Sequence, residues 1–145
     1  MSLFSSLSVS ASGMSAQRAR TEVLVENLAN SETTRTPEGG PYRRKDAIFT
    51  EDPGAGSFSS QLDSALGPAM SGVVVSEIAV DDSAPEMRYQ PGHPDADKDG
   101  YVAYPKINPA EDMVDLMGAS RGYEANVAAI SAVKDMINKS LDLFR

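Results

Sequence analysis

The sequence predicts an α+β chain in which long N- and C-terminal helices pair as an antiparallel coiled coil, with a small central antiparallel β region between them. Three observations carry that expectation. Apolar residues recur with helical spacing over both ends of the chain. Eight of the nine prolines fall between residues 31 and 108, where they forbid long helices. Charge divides in the same places: residues 1–30 sum to zero, residues 31–108 to −6 and residues 109–145 to −2. The middle reads as solvated surface and the ends do not.

In segment 1–30, Leu7, Met14, Thr21 and Leu28 recur every seven positions, and Ala11, Leu24 and Val25 fill the same side. That is the stripe of an amphipathic helix. Asn30 and Ser31 are the expected stop, because Asn tolerates the left-handed conformation that ends many helices.

The central segment, 31–108, contains short β-like runs at YRRKDAIFT, GVVVSEIAV, EMRYQ and GYVAYPK, each bounded by turn residues. They predict a small antiparallel sheet. Residues 53–72, rich in Gly, Ser and Ala, predict a mobile loop with a short helical turn at SSQLDSAL.

Segment 109–145 opens with a start signal of clear mechanism. Asn108 can cap, Pro109 suits the first helical position and Glu111 follows the cap by three residues. From there Met113, Leu116, Tyr123, Val127, Ile130, Ile137, Leu141 and Phe144 keep three-and-four spacing without a proline. They predict a helix of about 35 residues, on the order of 50 Å long.

Each terminal helix carries a second face. Opposite the large stripe of the C-terminal helix lie Gly118, Gly122, Ala125, Ala129 and Ala132; opposite that of the N-terminal helix lie Ser5, Ser8, Ser12, Ala16 and Ala19. Small side chains let helix backbones approach closely, whereas a helix resting on one core exposes long charged residues on its far side. Two glycines inside a helix cost about 1 kcal/mol each relative to alanine, which an exposed face does not offset. The expected division is that Leu7, Met14, Leu24 and Leu28 pair with Leu116, Tyr123, Val127, Ile130, Ile137 and Leu141, while the small faces meet neighbouring subunits.

Several chemistries are disfavoured. The chain has no cysteine, so disulfides and thiolate metal sites are excluded. A net charge of −8, with one short basic cluster at Arg43, Arg44 and Lys45, argues against a nucleic-acid partner. No run approaches the eighteen or so apolar residues of a membrane span. The first residues lack the basic and apolar regions of a standard cleaved signal peptide. His93, the single histidine, has no partners at ligand spacing, and the paired glycines of RTPEGGP precede no helix. No cofactor, metal or catalytic residue is expected, and an enzyme is disfavoured.

One stretch points to calcium. DADKDGYV places Asp95, Asp97, Asp99 and Gly100 as an EF-hand loop would, yet position 9 is Ala103 and position 12, which should be a bidentate glutamate, is Lys106. Flanking prolines leave no entering or exiting helix. A calcium-binding module using residues 95–106 and a free-standing coiled-coil adaptor remain the alternative readings.

The residues also resemble a known family. SASGMSAQRARTEVLVENLANSETTRTPEGGPYRRK at the front and YQPGHPDADKDGYVAYPKINPAEDMVDLMGASRGYEANVAAISAVKDM at the back are similar to bacterial flagellar basal-body rod proteins, most closely those of the proximal rod. NLAN (Asn27, Leu28, Ala29, Asn30) is the general mark of axial rod and hook proteins, while YQPGHPDADKDGYV and ASRGYEAN are more specific; residues 50–85 fall outside the match. The resemblance implies a structural subunit that polymerises through its terminal helices into the torque-transmitting shaft. It implies as partners other copies of itself, other rod subunits, membrane-ring and adaptor components at the rod base, and the type III export apparatus, which would export it to the periplasm-spanning rod without signal cleavage. Lys134 interrupts the apolar stripe beside Val133; its stem can cover apolar surface while its ammonium seeks a carboxylate on a neighbour.

Overall fold

The computed structural model describes residues 3–52 and 71–142. In chain order they form helix α1 (Leu3–Ala29), strands β1 (Lys45–Glu51), β2 (Val73–Val80), β3 (Glu86–Tyr89) and β4 (Tyr101–Tyr104), and helix α2 (Pro109–Asp142). The expected mobile loop and its helical turn lie outside the described residues, apart from Ser71 and Gly72.

No proline interrupts α1, and its end is fixed by side-chain hydrogen bonding. The Asn30 amide donates to the Glu26 carbonyl at 2.9 Å and accepts the Thr33 hydroxyl at 3.1 Å. The left-handed stop expected at Asn30 is not used: among the described residues only glycines have positive φ. At the other end of the fold Asn108 caps α2 by accepting the Ala110 N–H at 3.1 Å, satisfying one of the orphan donors of the first turn.

The two helices run antiparallel. Arg20 meets Asp115 at 3.4 Å, a Cβ on Gly122 would lie 3.2 Å from Gln17, and one on Gly13 would lie 3.0 Å from the Asn126 amide. As the number falls along α1 it rises along α2. With 34 residues against 27, α2 is about 10 Å longer at 1.5 Å per residue. The excess falls at its C-terminal end, where Leu141 is 62% exposed.

All four β-like runs form strands, but as two ladders rather than one sheet. β1 pairs antiparallel with β2 from Lys45↔Val80 to Glu51↔Val73, with a register shift where Ile48 opposes Glu77 and Phe49 opposes Val75. Ser76 is the extra residue, and its hydroxyl donates to the Ile48 carbonyl at 3.2 Å. Such a bulge bends the strand. Lys45, Ala47 and Phe49 alternate as the half-buried face of β1, and β1 and β2 both pack on α1.

β3 pairs with β4 from Glu86↔Tyr104 to Tyr89↔Tyr101, and this second ladder rests on neither helix. The connection from β2 explains the split. The Asp81 carboxylate takes the Ser83 N–H at 2.8 Å to form a turn, and Pro85 removes the next ladder donor. The chain leaves the first ladder there.

Two buried groups result. Ala16, Val23 and Leu24 of α1 are buried, as are Ala119 and Val133 of α2; α1 lies between α2 and the β1–β2 ladder. Val102, Tyr104, Pro105 and Ile107 are buried around the exit from β4, as is Tyr42.

The β3–β4 turn depends on Gly100. Its φ is +83°, and a Cβ there would stand 2.9 Å from the Tyr89 ring. Gly100→Ala is therefore expected to destabilise the chain by about 1–2 kcal/mol, read as a lowered denaturation midpoint. An unchanged midpoint would mean the turn can rebuild without its left-handed residue.

Candidate assembly interface

The junction of helices and strands is built around Asn27, whose side chain is completely buried. Its amide nitrogen donates to the Lys45 carbonyl at 2.7 Å and its oxygen accepts the Lys45 N–H at 3.0 Å. One side-chain amide thus pairs with the backbone of β1 as a neighbouring strand would. The same oxygen accepts the Tyr42 hydroxyl at 3.0 Å. Burial, and then the Glu26 carboxylate, push that hydroxyl up to about 12, so it stays protonated as a donor. Lys45 Nζ closes the cluster on Glu26.

A second tie lies beside it. Arg44 Nη2 stands 3.2 Å from Asp112 Oδ1, joining the entry to β1 to the first turn of α2. Together the two ties locate both helices against one four-residue stretch of chain. A third contact holds the far end of the ladder: the Ser12 hydroxyl accepts the Val73 N–H at 3.0 Å and donates to the Val9 carbonyl at 2.8 Å. A Cβ on Gly72 would lie 2.6 Å from that hydroxyl.

Against this frame the expected division of faces changes. Asp112, Ala119 and Val133 are the buried positions of α2, with half-buried Asn126 between them, repeating every seven residues. This line lies about 50° around the helix from the centre of the large stripe at 100° per residue. Leu116, Ile130 and Ile137 sit half-buried at its edge, while Tyr123 is 42%, Val127 41% and Leu141 62% exposed. On α1, Leu24 is buried and Leu7, Met14 and Leu28 are half-buried. The large stripe therefore flanks the seam instead of filling it.

The small faces divide as well. Ser12 and Ala16, expected to face neighbours, are taken up inside the subunit. Gly122 turns to Gln17 of α1. Gly118, Ala125, Ala129 and Ala132 stay outward, and nothing lies within 4 Å of a Cβ built on Gly118. The physical reason is the closeness of the hairpin: where Gly13 and Gln17 meet α2, only slim positions fit. Outside the seam, α2 also exposes Met113, Val114, Met117 and Met136, so apolar and small residues outnumber the exposed charged ones, among them Arg121, Glu124, Asp135 and Lys139. A shallow groove along the flank is lined by Arg18, Thr21, Glu22, Leu116, Ser120 and Tyr123.

The aspartates of the β3–β4 turn do not converge. Asp95 accepts the Thr34 hydroxyl at 2.8 Å, while one Asp97 oxygen takes the N–H groups of Asp99 and Tyr101 at 2.9 and 2.8 Å. They serve turn and loop, and nothing supports the calcium reading. Among the described residues no group of three or more acidic, His or Cys side chains could hold a metal, and no helix is long and apolar enough to cross a membrane.

Comparison with known proteins decides what such a frame belongs to. The chain is 46% identical to the flagellar basal-body rod protein FlgC of Bacillus subtilis, with 99% of each covered, and 42% identical to that of Borreliella burgdorferi, with 100% of this chain and 99% of the relative covered. FlgC of Salmonella typhimurium is 38% identical over 99% of this chain. The chain belongs to the FlgC family of flagellar basal-body rod proteins. Two broader family profiles match as well: flagella basal body rod protein over residues 7–35, and the flagellar basal body rod FlgEFG protein C-terminal region over residues 98–143. Residues 50–85, outside the resemblance read from the sequence, are spanned by the full-length alignments.

As a basal-body rod protein the chain is a structural subunit and not an enzyme. Its NLAN residues act locally: Asn27 grips β1 and Asn30 ends α1, while Leu28 is half-buried and Ala29 exposed. The role of Asn27 has one sequence cue, an amide spaced by sevens from Gly13 and Arg20 on the α1 side that meets α2. Lys45, Tyr42, Arg44 and Asp112 have none, since their contacts cross long sequence separations.

Two outcomes follow. Asn27→Ala leaves the Lys45 N–H and C=O and the Tyr42 hydroxyl without their partner, and should lower stability by about 2–4 kcal/mol in denaturant unfolding. Gly122→Leu should cost about 1–3 kcal/mol by overpacking against Gln17, whereas Gly118→Leu, on an open face, should raise stability by about 0.5–1 kcal/mol through helix propensity. Equal midpoints for the two leucine variants would contradict the described seam.

Proposed function

We propose that this rod subunit assembles through the two faces of α2 that α1 leaves bare. One is the flank formed by Tyr123, Val127, Lys134 and Leu141, continuous with half-buried Leu116, Ile130 and Ile137. The other is the slim outward face of Gly118, Ala125, Ala129 and Ala132. The observation that carries the reading is that, even after the hairpin has closed, exposed apolar and small residues of α2 outnumber its exposed charged ones.

Helices of adjacent copies and of other rod subunits would cover these faces. Packing on the large flank supplies hydrophobic driving force of about 25 cal/mol per Å² buried, and the slim face allows close approach. Repetition of a contact between unlike patches extends an assembly along an axis. In the proximal rod such a column of coiled helices would carry torque, with the two β ladders outside it. Membrane-ring and adaptor components at the base are the further partners, and the type III export apparatus, acting without signal cleavage, is the route to the periplasm-crossing rod.

The test separates folding from assembly. Val127→Asp places a charge on the exposed flank, and Gly118→Leu adds bulk to the slim face. Both variants should keep the circular dichroism of the parent monomer; Gly118→Leu should melt no lower than the parent, and Val127→Asp, at a position 41% exposed, only slightly lower. Both should be depleted from purified basal bodies, with motility lost. Normal motility and normal incorporation of both would overturn the assignment of these faces.

A further inference from the structure

We infer that the buried Asp112 carboxyl is a proton-gated latch at the junction between the entry to β1 and the first turn of α2: its charge draws Arg44 but is poorly stabilised there, and the junction is tighter when Asp112 is neutral. The geometry is that of an ill-served charge. The Asp112 side chain is 0% exposed, yet neither carboxylate oxygen has a hydrogen bond; Arg44 Nη2, at 3.2 Å, is close but poorly aligned, and Arg44 Nε is equally unbonded. A buried carboxylate repays its lost hydration only when well-directed donors replace water. Here they do not.

The surroundings add negative charge. From β1, Asp46 lies 3.4 Å from Arg44 Nε; from α2 itself come Glu111 and Asp115; from α1, Arg20 reaches Asp115 at 3.4 Å. Two guanidinium groups thus serve three carboxylates, with Glu111 a further negative charge nearby, and Arg44 keeps Asp46 when Asp112 is neutral. Protonation relieves Asp112 without orphaning its partner. Burial pushes the Asp112 carboxyl up, Arg44 opposes this, and Asp115, Asp46 and Glu111 reinforce it.

The sign follows. A carboxyl whose folded value lies above its unfolded one contributes stability that is complete below the ordinary carboxylate range and is lost as pH rises through the raised value. Acidification from the raised value towards the ordinary carboxylate range therefore tightens the junction at which Asn27 grips Lys45, and neutral pH loosens the hold of the β1–β2 ladder on the hairpin. The latch rests on this contact alone and holds whether or not the faces of α2 assemble as proposed.

The experiment uses the purified full chain. The Asp112 carboxyl carbon is titrated by NMR, and protection factors of the Asp112 and Lys45 amides are measured by hydrogen exchange from pH 7.5 to about pH 3, below the ordinary aspartate value, in the parent chain, in Asp112→Asn and in Asp115→Asn. The parent should titrate above the usual aspartate value and gain protection at both amides on acidification, by about tenfold for one pH unit of displacement. Asp112→Asn should show the acid-level protection at every pH, and Asp115→Asn should keep the pH dependence. A parent Asp112 that titrates at or below the ordinary value, or an Asp112→Asn chain less protected than the parent at pH 7.5, would overturn the latch. The NMR titration needs no variant, so misfolding of Asp112→Asn would not shield the inference.

Discussion

The pairing of the Asn27 side chain with the backbone of Lys45 is the constraint on which the rest of the structure depends. A two-stranded ladder has two open edges and is marginal alone. Here one edge is closed at its first residue by a helix side chain, at 2.7 and 3.0 Å. This fixes the end of α1, the start of β1 and, through the neighbouring Arg44, the start of α2. Elements far apart in sequence are thereby held at one point with little apolar core, which suits a chain whose buried apolar residues, among those described, are few.

That economy has a consequence for the helices. Because Ala16, Ala119 and Gly122 form much of the seam, α1 and α2 lie close together and the bulky residues are displaced to its edge. A hairpin sealed by its largest side chains would hide them; one sealed by its smallest leaves Tyr123 and Val127 available, and the overhang of α2 adds Leu141. The subunit closes on itself and keeps apolar surface for its neighbours, a combination suited to a rod component. Burial of the same atoms by another subunit then adds stability that the isolated chain lacks.

The β ladders divide the labour differently. β1–β2 is tied to α1 at both ends, by Asn27 and by Ser12, whereas β3–β4 is stabilised by its own turn. Gly100, the Asp97 carboxylate and the contact of the Tyr89 and Tyr101 rings, with centroids 5.4 Å apart, hold that turn. The aspartate pattern that resembles a metal loop is explained by that backbone work, since a carboxylate accepting two N–H groups is already engaged.

The sequence by itself determined the elements. Unbroken periodicity and the Asn108–Pro109 start made α2 legible, the prolines confined the strands to the middle, and the motifs at both ends were enough to indicate the rod family. Each of these is a local signal, carried by residues a few positions apart. Only the tertiary structure decided which face of each helix is inside. A stripe of large apolar residues and a stripe of small ones are both eligible for burial, and the choice turns on how near the partner backbone comes, which Gly13 and Gln17 of the other helix set. That Lys45 is the partner of Asn27, and that Arg44 meets Asp112, were hidden for the same reason: each is a contact between residues that only the folded chain brings together.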